Sequence, residues 1–113
     1  MNKFFISFLF VSLFSSLLLE AAVYKGQIVY AKKCAMCHKN GQVFVATKMA
    51  KEWNDIMVNN GKKLADVHLQ SKSADAAPSH EYFGSEVFFK TAQDLKDFVI
   101  EYAKDSGKVP ACN

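Results

Sequence analysis

One short stretch limits this chain more than any other: Cys34-Ala35-Met36-Cys37-His38. Two cysteines three positions apart, with a histidine directly after the second, form the attachment signature of c-type haem. The spacing follows from chemistry. Two thiols must reach two vinyl groups on one edge of a flat macrocycle, and one helical turn brings residues i and i+3 to one face. The next residue, His38, then swings its imidazole beneath the ring to bind the iron. A fold carrying this motif must wrap a pocket around a plate-like group. A bare Cys-x-x-Cys is far less specific, because zinc sites and thiol oxidoreductases share it.

The compartment agrees with that chemistry. Residues 1–21 have the form of a secretory signal peptide: Lys3 supplies the positive start, and residues 4–19 are apolar apart from serines. Leu19-Glu20-Ala21 offers a small residue for cleavage, with a cut after Ala22 as the alternative. The competing reading is a retained membrane anchor, but the apolar run is shorter than the ~20 residues that span a bilayer. The expected mature chain is a single periplasmic domain, residues 22–113, with no permanent membrane span. A domain of that size has a marginal apolar core unaided, and one covalent haem supplies a large apolar centre. Of the ten phenylalanines, the mature part keeps Phe44, Phe83, Phe88, Phe89 and Phe98, beside Trp53 and four tyrosines.

All 14 basic residues are lysines, and the formal charge is +3. Without arginine, bidentate recognition of bases or phosphates is lost, so no nucleic-acid partner is expected. Lysines near the motif (Lys25, Lys32, Lys33, Lys39, Lys48, Lys51) either ring an exposed haem edge and steer acidic partners or form a plain solvated face.

Helical periodicity organises the mature chain. Residues 23–33 form a first helix running into the motif, with Gly26, Tyr30 and Cys34 on one face. Gly26 costs helix propensity, and its place on that face implies close approach by another helix. Residues 43–46 suggest a short extended loop against the haem. Thr47 is the expected N-cap of a second helix carrying Ala50, Trp53, Ile56 and Met57, ended by Asn59-Asn60-Gly61. Residues 62–79 resemble a surface loop that carries His68 and leads to His80, with a short helix-compatible piece at 64–67. Thr91 is the expected start of a last helix with Leu95, Phe98, Val99 and Tyr102 as its apolar stripe, stopped by Gly107 and Pro110.

A first helix of the form Gly-x-x-x-Tyr-x-x-x-Cys-x-x-Cys-His and a last helix with an apolar-aromatic stripe together resemble class I cytochromes c. The likeness covers the two ends of the mature chain and not its middle. It implies a small all-α domain, about three main helices and long loops, packed around one haem c. Cys34 and Cys37 would form the thioethers and His38 the proximal iron bond, with Tyr30 and Trp53 as candidate haem contacts. It also implies that the first and last helices cross, so that Gly26 and Tyr30 meet Phe98 and Tyr102. The chain departs from the family at the sixth iron ligand, which is usually a methionine shortly before the last helix. No methionine lies beyond Met57. The candidates are His80, then His68, then Met57 or Met49, with an open iron as a further alternative. Bis-histidine ligation would lower the potential, since a thioether favours ferrous iron more than an imidazole does.

The expected function is electron transfer without catalysis: a periplasmic cytochrome passing single electrons from an oxidoreductase to a respiratory acceptor. A small secreted monohaem chain also resembles the cytochrome subunits of periplasmic molybdopterin oxidoreductases such as sulfite dehydrogenase. An open iron would instead give a haem enzyme or gas sensor. A zinc or thiol module built from Cys34, Cys37, His38 and Cys112 is the third possibility. Cys112 is an odd cysteine that either pairs with another chain or stays a free thiol.

Overall fold

The structure is a computed structural model that describes residues 2–109, with side chains described from Leu17 onward except that of Gln42. Pro110 and Cys112, each given a part above, lie outside the described residues. The order is α1 (Asn2–Lys33), α2 (Ala35–His38), α3 (Gly41–Phe44), α4 (Ala50–Gln70), α5 (His80–Phe83) and α6 (Glu86–Glu101). Short 3-10 turns at Val45–Thr47, Ala77–Ser79 and Lys104–Ser106 join them. No strand occurs among the described residues, and the domain is all-α as its periodicity predicts.

The frame is the crossing of α1 and α6. Gly26 is buried where the helices meet: a Cβ there would lie 2.0 Å from the Asp94 carbonyl oxygen and 2.6 Å from the Phe98 Cβ. One turn on, the Tyr30 and Phe98 rings pack with centroids 5.5 Å apart, and Phe98 meets Tyr102 at 5.3 Å. Phe88, Ala92, Leu95, Phe98 and Val99 give α6 a buried stripe at the 3.6-residue period. The expected cleavage point at Ala21 lies inside α1. Among residues whose side chains are described, no helix is long and apolar enough to cross a membrane.

Several local expectations give way to tertiary contacts. Helix α6 starts at Ser85–Glu86 and not at Thr91. The Thr91 hydroxyl is used inside the helix, donating to the Val87 carbonyl at 2.8 Å. The earlier start brings Phe88, which is fully buried, onto the core face. Residues 43–46 are not extended. Asn40 accepts the Val43 N–H at 3.1 Å and opens α3, after which a 3-10 turn buries Val45. Thr47 does not cap α4, because its hydroxyl donates to the Phe44 carbonyl at 2.7 Å. The cap position belongs to Met49, whose N–H donates to Glu52, while the Ala50 N–H donates to Asp105 at 2.8 Å.

The largest difference lies in 62–79. Val58 leaves the helical region, and Asn59, Asn60 and Gly61 take φ of 53°, 57° and 76°, as their residue types favour. The predicted break is therefore present. The chain then turns helical again and stays so to Gln70, with Lys62 and Asp66 paired at 2.7 Å one turn apart. His68 is thus on a helix and not in a loop. Gly61 is doubly constrained, since a Cβ there would also come 2.7 Å from the Phe88 ring.

Candidate functional site

The site begins where α1 stops. The Cys34 N–H donates to the Tyr30 carbonyl at 2.9 Å, which is the last bond of that helix ladder. The Cys37 and His38 N–H groups both return to the Cys34 carbonyl, at 3.1 and 2.9 Å, and curl the motif into one tight turn. Lys39 ends the turn at φ 66° and ψ 179°, a conformation costly for any residue with a side chain. The Tyr30 hydroxyl donates to the Lys39 carbonyl at 2.8 Å and ties the end of the turn back to α1. This fixes where His38 projects.

Cys34, Cys37 and His38 all open onto one cavity of about 560 Å³. That lies within the roughly 300–1,000 Å³ typical of cofactor pockets. Its walls are mainly apolar, with Phe44, Trp53, Ile56, Met57, Leu64 and Phe83 among the lining side chains. Lys33, Lys48, Lys63 and the serines of 71–79 contribute polar groups. Aromatic contacts hold the walls in place. Phe44 stacks on His38 with centroids 4.3 Å apart and meets Trp53 edge-on at 5.9 Å. The Trp53 indole N–H donates to the Val45 carbonyl at 2.9 Å, so its one polar atom is satisfied while the ring faces the cavity.

His68 enters from the second limb of α4. It lies four residues after Leu64 and three after the buried Ala65, on the same face. Its ring stacks on Phe83 at 4.1 Å, and its centroid lies 5.8 Å from that of His38, the planes crossing at 82°. The cavity therefore brings together Cys34, Cys37, His38, His68, Tyr30, Trp53 and Met57. It does not include His80 or Met49. Met49 is half exposed at the start of α4. His80 opens α5, where its Nε2 is buried without a hydrogen-bond partner. Sequence reasoning missed Phe83, because the helix-compatible piece at 64–67 gave no sign that the helix runs on to His68, the histidine that ring meets.

Burial sets the chemistry of the polar groups. The Cys34 thiol is pushed up to about 12, first by burial and then by Cys37. The His38 imidazole is held below its ordinary value, first by burial and then by the neighbouring His68. At neutral pH the site therefore presents a protonated thiol and an imidazole with a free lone pair. Tyr30 is raised, mainly by burial. Among the described residues, no group of three or more His, Cys, Asp or Glu side chains is arranged to hold a metal ion.

Compared with protein-family models, curated proteins and solved structures, the chain finds no match.

Proposed function

We propose that this protein is a monohaem c-type cytochrome that carries single electrons, with haem joined to Cys34 and Cys37 and its iron bound by His38. The observation that carries the proposal is the convergence of these three side chains on one apolar cavity of about 560 Å³. The residues present suit the group. A flat, largely apolar macrocycle finds aromatic and aliphatic walls, while Lys33, Lys48 and Lys63 offer cationic partners for its carboxylates. Each thioether forms by adding a thiol S–H across a vinyl C=C: sulfur bonds one carbon, the hydrogen goes to the other, and no oxidant is consumed. Bound there, haem supplies an iron that cycles between Fe(III) and Fe(II).

The chain's own contribution is to hold and to exclude. The Tyr30–Lys39 hydrogen bond and the Phe44 stack fix the His38 ring. Burial keeps that imidazole neutral and able to donate its lone pair. Packed walls limit rearrangement between oxidation states. The signal-like residues 1–21 support export to the periplasm, where the covalent attachment of haem takes place. The lysine-rich surface suits acidic electron-transfer partners, and a molybdopterin oxidoreductase is the donor we favour.

The test is expression of the full chain together with a haem-attachment system, followed by haem staining after denaturation. Haem should stay on the chain, and C34A/C37A should lose it. A colourless chain that binds zinc would sink the proposal.

A further inference from the structure

We infer that His68 is the second axial ligand of the iron, opposite His38; this rests on the haem reading above and specifies its undecided face. Of the three histidines in the chain, His38 and His68 wall the cavity and His80 does not. Their ring centroids are 5.8 Å apart. Two imidazoles joined through one metal, with metal–nitrogen bonds of about 2.0–2.1 Å, have centroids roughly 6 Å apart. The two rings thus already stand at the separation that a shared metal requires.

The surroundings of His68 also select the atom. Its Nδ1 lies 2.8 Å from the Leu64 carbonyl oxygen. A carbonyl only accepts, so Nδ1 carries the proton and the lone pair is left on Nε2. Histidines that bind metals are commonly oriented in this way, by a backbone carbonyl on the nitrogen away from the metal. Phe83, stacked at 4.1 Å and 22°, holds the plane of the ring. Phe83 is itself fixed against Phe88 at 5.0 Å, within the buried core. The side chain is therefore set in tautomer and plane by two contacts that a solvated histidine would lack. The methionines are poorer choices. Met49 does not reach the cavity, and Met57, although it lines the cavity, is 2% exposed with its Cε 3.4 Å from where a Cβ on Gly61 would sit.

The experiment uses full-length protein matured with haem and compares wild type with H68A, H80A and H68M. A chain without covalent haem overturns this inference together with the haem reading. With haem attached, the ferric wild type should give a low-spin EPR spectrum with two nitrogen ligands, and the reduced form should not bind added carbon monoxide. H68A should turn high-spin, bind one carbon monoxide per haem, and return to low spin when imidazole is added. H80A should keep the wild-type spectrum. If H68A does not accumulate, H68M serves: it should stay low-spin, show sulfur ligation and have a raised midpoint potential. A high-spin wild type, loss of the low-spin signal in H80A but not H68A, or a wild-type spectrum in H68M would each overturn the assignment of His68. In all three cases the covalent haem would stand.

Discussion

The Tyr30 hydroxyl donates a 2.8 Å hydrogen bond to the carbonyl of Lys39, the residue that ends the Cys34–His38 turn at φ 66° and ψ 179°. A side chain in that region of backbone space costs about 1–3 kcal/mol, and glycine avoids most of it. Lys39→Gly should therefore stabilise the protein, offset in part by the greater freedom of glycine in the unfolded chain. Tyr30→Phe keeps the ring against Phe98 and removes only the hydroxyl, so it should destabilise by about 1 kcal/mol. Denaturant unfolding of both variants would show opposite shifts in midpoint. A destabilised Lys39→Gly would mean that the turn is not strained.

Gly26 and Gly107 separate crowding from conformation. A methyl group at Gly26 meets the Asp94 carbonyl oxygen at 2.0 Å, and backbone cannot move aside as a flexible side chain can. Gly26→Ala must therefore spread α1 from α6, at a cost of about 3 kcal/mol or more. Gly107 has φ 70° with nothing within 4 Å of the same position. Gly107→Ala should cost only the conformational strain, about 1 kcal/mol. Thermal melts should show a large drop for the first variant and a small one for the second.

A carboxylate supplied from far along the chain helps to cap the first limb of α4. The Ala50 N–H donates to Asp105 Oδ1 at 2.8 Å, across 55 residues. The Lys104 N–H donates in turn to the Lys48 carbonyl at 2.9 Å, pinning the segment after α6 to the start of α4. Asp105→Ala should cost about 1 kcal/mol, as losing an N-cap side chain does. Amide hydrogen exchange should rise in residues 50–54 before it rises elsewhere. Unchanged exchange there would show that Glu52 and solvent suffice.

These contacts mark the limit of what the chain's order reveals. Gly26, on the same face as Tyr30, announced that another helix comes close, and the resemblance to class I cytochromes c named α6 as that helix. The cap on α4 was not legible, because a donor at position 50 and an acceptor at 105 carry no local signal. Thr47 and Thr91 looked like caps since short hydroxyl side chains favour helix starts, yet each hydroxyl bonds a preceding carbonyl instead. Asn59-Asn60-Gly61 correctly announced a break. It said nothing of the helix beyond it, and so the place of His68 was hidden. That placement depends on Phe83 and Phe88 arriving from later in the chain, which periodicity within 62–79 does not encode.

Tyr82 gives a pH dependence whose sign is set by burial. The residue is 8% exposed, and its hydroxyl lies 2.8 Å from Thr91 Oγ1. Burial raises the Tyr82 phenol above its ordinary value of 10.0, Thr91 pulls the other way, and Cys34 adds a smaller upward push. The folded chain therefore keeps a proton that the unfolded chain releases. Stability from this group is fully present below pH 10.0 and falls as pH rises beyond it. Tyr82→Phe should cost about 1 kcal/mol at neutral pH through the lost hydrogen bond, while flattening the alkaline decline. Denaturant midpoints from about pH 8 to about pH 11 would resolve both effects, with Tyr30→Phe as the parallel case because burial raises that phenol too. Parallel curves for wild type and Tyr82→Phe would show that the phenol is not desolvated in the folded chain.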